Sequence, residues 1–389
     1  MIERQTTERL KKLAAQFKSV AITGPRQSGK TTLAKQVFPD KQYASLENPD
    51  TRLMAQTDPR GFLAQFPKGA ILDEIQQAPE LFSYLQEILD NSNDTGLFIL
   101  TGSNNFLLQQ SIGQSLAGRI AMLYLMPFHF DELTEQTRSQ DANEWILNGF
   151  YPPVHFQPVE APEWHRNYLT TYVERDVRMV KNITNLSLFE RFVRVVATRN
   201  AQELNLSAIG IETGLDAKTV HSWIGILESS FIIFLLRPFH TNYKKSIIKR
   251  PKLYFVDTAV ACALLGIRSM DQLSTHPLRG SLFENIIVSD KWKHNLHTGG
   301  FTQFYFWREK NSREIDLLEE LDGHVKAIEI KVGSTATSDY WKHLTYWKAL
   351  RSEASLEVVY TGNETLHIHD VNILPWQMAL TSRSSPLIR

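Results

Sequence analysis

Cysteine and net charge are the two things that this sequence has least of. Cys262 is the single cysteine among 389 residues, so no disulfide can form within the chain and a reducing, cytoplasmic compartment is expected. Lys and Arg together number 42, as do Asp and Glu, so the formal net charge is zero. The balance excludes a global electrostatic attraction to nucleic acid or membrane and leaves only local patches for such binding.

Long hydrophobic runs are also missing. Phe231–Leu236 is one of the longest, and about 20 apolar residues are needed to cross a bilayer. The first five residues include the charged Glu3 and Arg4 and have no apolar signal core, so neither a leader nor a membrane partner is expected. Hydrophobic residues make up 42% and charged residues 22%, which is ordinary for a globular protein, and the length predicts two or three domains.

A complete phosphate-binding loop stands near the amino end. Residues 24–31 follow the pattern G-x-x-x-x-G-K-[ST], whose glycines let backbone N–H groups close around phosphate oxygens. The apolar run Ser19–Thr23 predicts a buried strand before the loop, and Lys30–Val37 predicts a helix after it. Lys30 is expected to contact the β- and γ-phosphates, and the Thr31 hydroxyl is expected to ligate Mg²⁺. The predicted nucleotide-binding residues are Gly24, Pro25, Arg26, Gln27, Ser28, Gly29, Lys30, Thr31 and Thr32.

Two adjacent acids end the next predicted strand. A mostly apolar run begins at Lys68 and ends at Asp73 and Glu74. A second parallel strand here can bring Asp73 to the metal and Glu74 to the water that attacks the γ-phosphate. The alternative is that the two acids only begin a helix, where negative charge is favourable. Their position after a phosphate loop favours catalysis.

Two further positions can complete such a site. A third strand begins at Leu97 and ends in small polar residues, so Ser103 or Asn104 can sense the γ-phosphate or orient the water; an ordinary loop start is the alternative. Arg119 follows Gly118 on a predicted turn, where it can act as an arginine finger on a neighbouring subunit. A salt-bridged surface arginine is the equal alternative.

Taken together, these motifs resemble the AAA-type ATPases of bacteria and archaea that carry a C-terminal domain of unknown function, the AAA_14 plus DUF4143 architecture. The segments that carry the resemblance are Ile22–Thr32, Leu72–Gln76, Thr101–Ser103, Leu116–Arg119, Pro127–Leu133, Tyr168–Asp176 and Tyr254–Asp257. The resemblance covers nearly the whole chain and implies an ATPase that uses ATP and Mg²⁺. With Arg119 acting in trans it implies a ring, expected to be a hexamer. It also draws attention to Arg175 and Asp176, for which a surface ion pair is the favoured interpretation over a contact to a neighbouring nucleotide site.

The middle of the chain predicts a helical module. The proline-rich stretch Tyr151–Val154 indicates a connection, and a long helix is expected from about residue 164 to 179. Residues 205–216 and 217–229 have the rhythm of helix, glycine turn and helix, and Phe231–Leu236 predicts a strand after them, which is a winged-helix pattern. The second helix would present Lys218, Thr219, His221 and Ser222 outward to a DNA groove, and the basic run 243–252 could meet phosphates. Such modules also serve as plain interaction surfaces, and the basic run can equally be a solvated loop.

The last part of the chain carries a second chemical signal. Residues two apart in a strand face the same side, so Glu329 and Lys331 point together, and Asp316 lies on the strand expected beside them. With Glu284 on a preceding helix, this order resembles the PD-(D/E)xK nuclease fold, in which carboxylates hold Mg²⁺ or Mn²⁺ and the lysine positions water. Ile315 replaces the usual proline before the aspartate. The alternatives are an exposed Glu-Lys face and a degenerate nuclease fold that only holds DNA.

The sequence therefore predicts an α/β protein of three parts. A P-loop, AAA-type doubly wound parallel sheet is expected over 1–150, a helical linker and winged-helix module over 151–250, and a restriction-endonuclease-like α/β domain over 251–389. The expected function is a Mg²⁺-dependent ATPase that acts on DNA, with metal-dependent cleavage by a second Mg²⁺ or Mn²⁺ left open. The alternatives are an ATP-controlled binding module with an inactive nuclease fold and a remodeller of protein partners.

Overall fold

The structure, a computed structural model, describes residues 2–103, 116–133, 139, 141–172, 183, 185–239, 250–309 and 313–381. The chain divides into two compact units. The first comprises Met1–Phe128, Ser229–Phe231 and Leu296–Gly300, and the second comprises His129–Glu228, Ile232–Asn295 and Phe301–Arg389. This division differs from the boundaries near 150 and 250 that the composition of the sequence indicates.

The first unit is built on a parallel sheet. Its strands are β1 (Ser19–Thr23), β2 (Gln42–Ser45), β3 (Ala70–Asp73), β4 (Phe98–Gly102) and β5 (Ile120–Tyr124). Among the described residues these five strands lie in the order β2-β3-β4-β1-β5, and every pairing is parallel. Parallel pairing brings the carboxyl ends of all the strands to one edge, where ligands bind in such sheets.

Helices pack against both faces of this sheet. They are α1 (Thr6–Gln16), α2 (Lys30–Val37), α3 (Pro49–Thr57), α4 (Pro59–Ala64) and α5 (Leu81–Asn91). Alternate residues of each strand enter opposite cores: Val20 and Ile22 pack with residues of α1 and α2, whereas Ala21 packs with residues of α3, α4 and α5. Because both faces of β1, β3 and β4 are buried, these strands are largely apolar, whereas the edge strand β2 exposes Gln42 and Tyr43. The predicted doubly wound parallel sheet is confirmed.

The second unit contains the remaining helices and strands. Its helices are α6 (Ala142–Asn148), α7 (Pro152–Phe156), α8 (Ala161–Thr171), α9 (Leu186–Ala197), α10 (Leu206–Thr213), α11 (Ala217–Ser229), α12 (Thr258–Leu265), α13 (Met270–Thr275), α14 (Arg279–Thr298), α15 (Lys342–Leu350) and α16 (Trp376–Leu380). Its strands are β6 (Gln202–Glu203), β7 (Ile233–Pro238), β8 (Lys252–Phe255), β9 (Gln303–Arg308), β10 (Glu314–Leu321), β11 (His324–Lys331), β12 (Ser355–Tyr360), β13 (Leu366–Ile368) and β14 (Val371–Pro375).

One sheet runs through this second unit. Within the described part of the chain, nine strands lie in the order β13-β14-β12-β11-β10-β9-β7-β8-β6. β7 pairs in parallel with β9, with Arg237 opposite Tyr305. The boundary expected near residue 250 therefore falls inside a continuous sheet, because β7 and β8 join the strands that follow them. Composition could not indicate this, since the pairing joins segments far apart in the sequence.

The helical module has the predicted order of elements. α9 is followed by the short strand β6, then α10, a turn at Gly214 and α11, and the antiparallel pair β7–β8 comes next. Gly214 ends α10 in the left-handed conformation at φ 76°, which a glycine adopts without strain. Asp216 begins α11 by accepting hydrogen bonds from the Lys218 and Thr219 amides. The predicted helix over 217–229 has the bounds of α11, and the interpretation of the module as a winged helix stays a prediction.

One local prediction differs from the structure, and a second can be followed only in part. The proline-rich stretch expected as a connection forms α7, in which Pro152 occupies the first turn; proline is tolerated there because its missing N–H would be unpaired anyway. The long helix expected from 164 to 179 is described as α8 up to Thr171. Residues 173–182, with Arg175 and Asp176, lie outside the described residues.

Candidate functional site

The phosphate-binding loop lies at the carboxyl edge of the parallel sheet. It connects β1, which ends at Thr23, to α2, which begins at Lys30. A Cβ at Gly24 would lie 2.0 Å from the Leu125 carbonyl oxygen, so only glycine fits where the loop leaves the sheet. The loop ends at the amino end of α2, where backbone N–H groups and the helix dipole favour an anion. The tertiary structure thus provides the strand, loop and helix that the motif requires.

Lys30 and Thr31 project from the first turn of α2. The Lys30 Nζ donates hydrogen bonds to the carbonyl oxygens of Gly24, at 3.0 Å, and Pro25, at 2.8 Å, so the ammonium lies within the curve of the loop. The Thr31 hydroxyl donates to the Asp73 carboxylate at 2.7 Å. The two ends of the predicted site, 42 residues apart in sequence, are therefore in contact.

Asp73 is surrounded by hydroxyl groups at the end of β3. In addition to Thr31, the Thr101 hydroxyl donates to its Oδ1 and the Tyr43 hydroxyl donates to its Oδ2 at 2.9 Å. Burial, and then the hydrogen bond to Asp73, raise the pKa of Tyr43 to about 12. Tyr43 therefore stays protonated and remains a donor. A carboxylate and a threonine hydroxyl in contact form an oxygen donor set that suits Mg²⁺.

Glu74 lies beside Asp73 with its own pair of donors. Its backbone is in the left-handed region at φ 55°, which is unusual for glutamate and is a common feature of functional sites. The Ser103 hydroxyl donates to the Glu74 Oε2 at 3.0 Å, and the Gln76 side-chain amide donates to the same oxygen. The carboxylate is thus held in one orientation at the carboxyl edge of the sheet.

The two other predicted catalytic residues are placed differently. Asn104 lies outside the described residues. Arg119 precedes β5, and its carbonyl oxygen accepts a hydrogen bond from the Ser19 amide at the start of β1. It lies at the amino edge of the sheet, about 13 Å from the loop edge at ~3.3 Å per residue. Its guanidinium pairs with Asp90, one contact measuring 3.0 Å. The structure therefore places Arg119 away from the phosphate loop of the same chain.

The predicted C-terminal residues converge on one face of the β10–β11 hairpin. The Lys331 Nζ lies 2.6 Å from the Glu329 carboxylate and 3.3 Å from the Asp316 carboxylate. Asp316 also accepts a hydrogen bond from the Ile330 amide at 2.8 Å. Asp322 and Gly323, both at positive φ, form the tight turn that sets this register. We call Glu284, Asp316, Glu329 and Lys331 the acidic centre.

Burial and mutual repulsion separate the pKa values of the two strand carboxylates. Burial, and then the Asp316 charge, hold the pKa of Glu329 well above its ordinary value. Burial would also raise the pKa of Asp316, but Lys331 and Lys252 outweigh it and leave this pKa below its ordinary value. Asp316 is therefore the more acidic of the two carboxyl groups, since two adjacent carboxylates resist ionising together.

Glu284 approaches the centre from α14. Its Oε1 accepts hydrogen bonds from the Tyr254 hydroxyl at 2.6 Å and from the Lys252 Nζ at 2.9 Å. Burial raises the pKa of Glu284 to about 7, and Asp316 adds to that rise while Lys252 opposes it. Among the described residues, Glu284, Asp316 and Glu329 do not all bring carboxylate oxygens within 4.8 Å of one another. The structure therefore assembles the predicted residues without closing them around one ion.

Family comparisons agree with the first of these two sites. Residues 16–134 match the family described as AAA domain. This chain carries an AAA domain. Residues 279–379 match the domain of unknown function DUF4143, and residues 139–271 match the domain of unknown function DUF8612. The phosphate loop, Asp73 and Glu74 fall within the AAA domain, and the acidic centre falls within the DUF4143 domain.

Three similar proteins illustrate how far the likeness extends. The uncharacterized proteins Mb2031c of Mycobacterium bovis and Rv2008c of Mycobacterium tuberculosis are each 27% identical over 399 residues, covering 99% of this chain and 86% of theirs. The solved structure of the Walker-type ATPase paby2304 of Pyrococcus abyssi is 13% identical with a TM-score of 0.46, covering 68% of this chain and 96% of that one.

Three residues of the AAA domain site escaped sequence reasoning. Tyr43 contacts Asp73 only because β2 pairs with β3. Arg4 donates to the carbonyl oxygens of Ser28, at 2.9 Å, and Met126, at 2.8 Å, and so braces the phosphate loop from the N-terminal segment. Gln76 was part of a recognised motif, but its role as a donor to Glu74 required the geometry. No local pattern marks Tyr43 or Arg4.

Two residues near the acidic centre were also missed. His343 on α15 has its Nδ1 3.5 Å from the Glu329 carboxylate. Lys252 belongs to the basic run for which a solvated loop and a phosphate contact were the alternatives; its side chain is 3% exposed and pairs with Glu284 and Glu314. β8 carries the Lys252 side chain inward to these carboxylates; residues 243–249 of the run lie outside the described residues. No described helix is long and apolar enough to span a membrane.

Replacing Gln76 by alanine is expected to lower the turnover number for ATP about tenfold and leave the KM nearly unchanged. The physical reason is that Gln76 donates a hydrogen bond that orients Glu74, whose predicted role is to act on the attacking water rather than to hold the nucleotide. Phosphate release at a series of ATP concentrations measures both constants. Gln77→Ala is the matched control, because the Gln77 side chain makes no hydrogen bond to a described residue. An effect confined to KM would contradict a positioning role.

Proposed function

We propose that this chain is a Mg²⁺-dependent ATPase of the AAA type that acts on DNA, with ATP binding and hydrolysis coupled to DNA binding. The observation that carries the ATPase part is the convergence of Lys30, Thr31, Asp73 and Glu74 at the carboxyl edge of the parallel sheet. In this arrangement Lys30 binds the β- and γ-phosphates, and Glu74 accepts a proton from the attacking water.

Mg²⁺ fits the donor set at this edge. The Thr31 hydroxyl and the Asp73 carboxylate lie 2.7 Å apart, so both can ligate one ion. When bound, the ion neutralises charge on the β- and γ-phosphates. Thr101 and Tyr43 hold the Asp73 carboxylate in place through their hydroxyl groups. The chain thus supplies the ligands and the residues that orient them.

Arg119 supports a ring in the proposal. It lies at the opposite edge of the sheet from its own phosphate loop, with its side chain 30% exposed and paired to the partly exposed Asp90. From that position it can reach only the nucleotide of a neighbouring subunit, where an arginine stabilises transition-state charge. We propose a ring of subunits, with six as the expected number.

The helical module supplies the proposed DNA contact. Lys218 and His221 are exposed on α11, and Thr219 and Ser222 are partly exposed beside them. α11 follows the Gly214 turn, in the position of the second helix of a helix-turn-helix, which enters the major groove in DNA-binding proteins. The β7–β8 pair behind it would be the wing. Groove contact by these side chains is what couples the ATPase to DNA in this proposal.

The acidic centre supplies the proposed cleavage. Glu329 Oε1 is buried and accepts no hydrogen bond from a described residue, which fits a ligand position for a second Mg²⁺ or Mn²⁺. Asp316 and Glu329 would hold that ion and Lys331 would position water, which together favour hydrolysis of a phosphodiester.

An ATP-controlled DNA-binding module with an inactive centre is the second candidate. Two lysines, Lys331 and Lys252, already pair with the carboxylates of the centre. Since Glu284, Asp316 and Glu329 also do not all bring carboxylate oxygens within 4.8 Å of one another, the geometry favours a charge-balanced structural core over an open metal site.

Strand cleavage and ATP turnover measured together separate the two candidates. Labelled single- and double-stranded DNA is incubated with the protein, ATP and Mg²⁺ or Mn²⁺, while phosphate release is followed. We expect DNA to raise the rate of phosphate release, and we expect cleavage to fall about a hundredfold or more in Asp316→Asn and Lys331→Ala because metal ligation and water positioning are lost.

The control for these variants is Lys348→Ala. Lys348 lies on α15 of the same domain and pairs at the surface with the exposed Asp370, 3.1 Å away. The Lys348→Ala variant should cleave DNA at the wild-type rate. DNA binding without cleavage by the wild-type protein would establish the second candidate. If no DNA changed the rate of ATP turnover, the proposed coupling of ATP hydrolysis to DNA binding would be contradicted for both candidates.

A further inference from the structure

A cavity of about 460 Å³ lies within the second unit, where the helical module meets the nine-stranded sheet. We call it the arginine cavity. Its walls come from the end of α9, β6, the start of α10, and β8, β9 and β10. The lining residues are Arg199, Ala201, Gln202, Glu203, Asn205, Ala208, Arg250, Lys252, Arg308 and Glu314.

The lining of the arginine cavity is cationic. Three arginines and one lysine line it together with two glutamates, and two of these cations, Arg199 and Lys252, also pair with carboxylates outside the lining. Guanidinium groups are suited to phosphate oxygens, because their planar N–H groups form paired hydrogen bonds. The lining contains no aromatic residue on which a base could stack, so the chemistry favours phosphate over base recognition.

Two of the arginines have unused donors. The Arg199 Nε is buried and makes no hydrogen bond to a described residue, although another of its nitrogens pairs with Glu212. Buried donors are rarely left without a partner, so such a group points to a ligand. Arg250 makes no hydrogen bond or ion pair to any residue that the structure describes, and it is exposed at the cavity. Both guanidinium groups are placed to receive an anion.

An ion-pair network connects the cavity to the acidic centre. Arg308 lies 3.6 Å from the Glu314 carboxylate, and Glu314 pairs with Lys252. Lys252 in turn lies 2.9 Å from Glu284 of the acidic centre. Lys252 and Glu314 therefore belong to the wall of the cavity and also adjoin the centre, so a ligand in the cavity lies next to the carboxylates.

We propose that the arginine cavity binds phosphate groups of a single nucleic-acid strand and leads that strand to the acidic centre. The proposal rests on the DNA-directed function proposed above and adds the site that grips the backbone. A volume within the ~300–1,000 Å³ range of ligand pockets admits a strand or a nucleotide. Cationic grooves that follow the backbone bind single strands without sequence preference.

Binding of a fluorescent single-stranded oligonucleotide, followed by anisotropy in EDTA over a range of salt concentrations, tests the proposal. Arg199→Ala and Arg250→Ala are each expected to weaken binding, by roughly tenfold together at about 0.1 M salt, and each to reduce the slope of log K against log salt by about 0.7. Arg166→Ala is the matched control, since Arg166 pairs with Glu163 at the surface of α8. It should bind as the wild type does.

Two further outcomes, measured with AMP and with the oligonucleotide, distinguish a free nucleotide from a nucleic-acid strand as the ligand that supplies the phosphate. In one outcome AMP binds, the cavity variants weaken AMP binding, and no oligonucleotide binds. The cavity is then a site for a free nucleotide. That outcome supports recognition of phosphate and contradicts the proposed binding of a nucleic-acid strand. If oligonucleotide and AMP bind equally to wild type and both variants, the cavity proposal is overturned and DNA binding by α11 is untouched. Arg250→Ala removes no described contact, so it keeps the test valid if Arg199→Ala does not fold.

Discussion

Substitution of Lys30 by alanine is expected to lower ATP hydrolysis by about a hundredfold or more, because a fixed positive charge at the transferring phosphate is lost. The Lys30 ammonium lies inside the loop, within 3.0 Å of two loop carbonyl oxygens, and alanine supplies no charge there. Phosphate release by the purified protein with saturating Mg·ATP measures the effect. Turnover at the wild-type rate in this variant would refute the site.

Two companion variants make this result specific. Lys12→Ala removes an exposed lysine of α1 that makes no ion pair with a described residue, and it should leave hydrolysis unchanged. Glu74→Gln keeps the shape of the side chain and its hydrogen-bonding oxygen, so nucleotide binding should persist while hydrolysis falls. Loss of binding in Glu74→Gln would show that Glu74 shapes the loop instead of acting on water.

Substitution of Lys252 by methionine is expected to destabilise the second unit by about 3–5 kcal/mol, since removal of one partner leaves buried carboxylates unpaired. Burial alone would lower the pKa of Lys252, but Glu284 and the neighbouring acidic groups outweigh it and raise this pKa well above its ordinary value. The lysine is therefore charged and holds two carboxylates, one of which, Glu284, is 14% exposed. Urea unfolding followed by tryptophan fluorescence measures the loss.

The loss of stability should grow with pH. In the unfolded chain Glu284 ionises at its ordinary pKa of 4.5, and in the folded protein burial moves this pKa to about 7. A folded state that binds the extra proton loses stability as pH rises through this window. Without Lys252 the folded pKa rises further, so the difference between variant and wild type should increase above pH 7.

A double substitution provides the control for Lys252. Lys252→Met combined with Glu284→Gln removes both charges, so it should be more stable than Lys252→Met alone. Lys348→Met, which breaks a surface pair with Asp370, should change stability by about 1 kcal/mol or less. Equal destabilisation by Lys252→Met and Lys348→Met would show that the buried pairs carry no special weight.

Sequence reasoning was most successful where structure is local. β1 and α2 have the predicted bounds, because a buried apolar run and the glycine-framed loop after it specify their own conformation. Glu329 and Lys331 share a face because side chains in a strand alternate, and the tight Asp322-Gly323 turn brings Asp316 beside them. The roles of these residues stay predictions until the experiments above are done.

Prediction from the sequence was least successful where segments far apart in the sequence come into contact. Lys252 appeared as part of a basic, solvated run, and only its place on β8 turned it inward to Glu284. The prolines at 152 and 153 suggested a connection, yet they begin α7. The pairing of β7 with β9 brings Arg237 opposite Tyr305, and no local pattern in the sequence indicates it.

By itself, the sequence determined that a phosphate loop would join a strand to a helix. It also determined that Asp73 and Glu74 would end one strand and that Asp316, Glu329 and Lys331 would lie on two later strands. The conformational freedom of glycine, the alternation of side chains in a strand and the burial of apolar runs each act over a few residues. They can therefore be recognised from the sequence alone. Only the tertiary structure decided that Tyr43 and Thr101 hold Asp73, that Arg4 braces the loop and that Lys252 neutralises the acidic centre. Those contacts depend on which strands pair and which faces pack, and no local pattern records that choice.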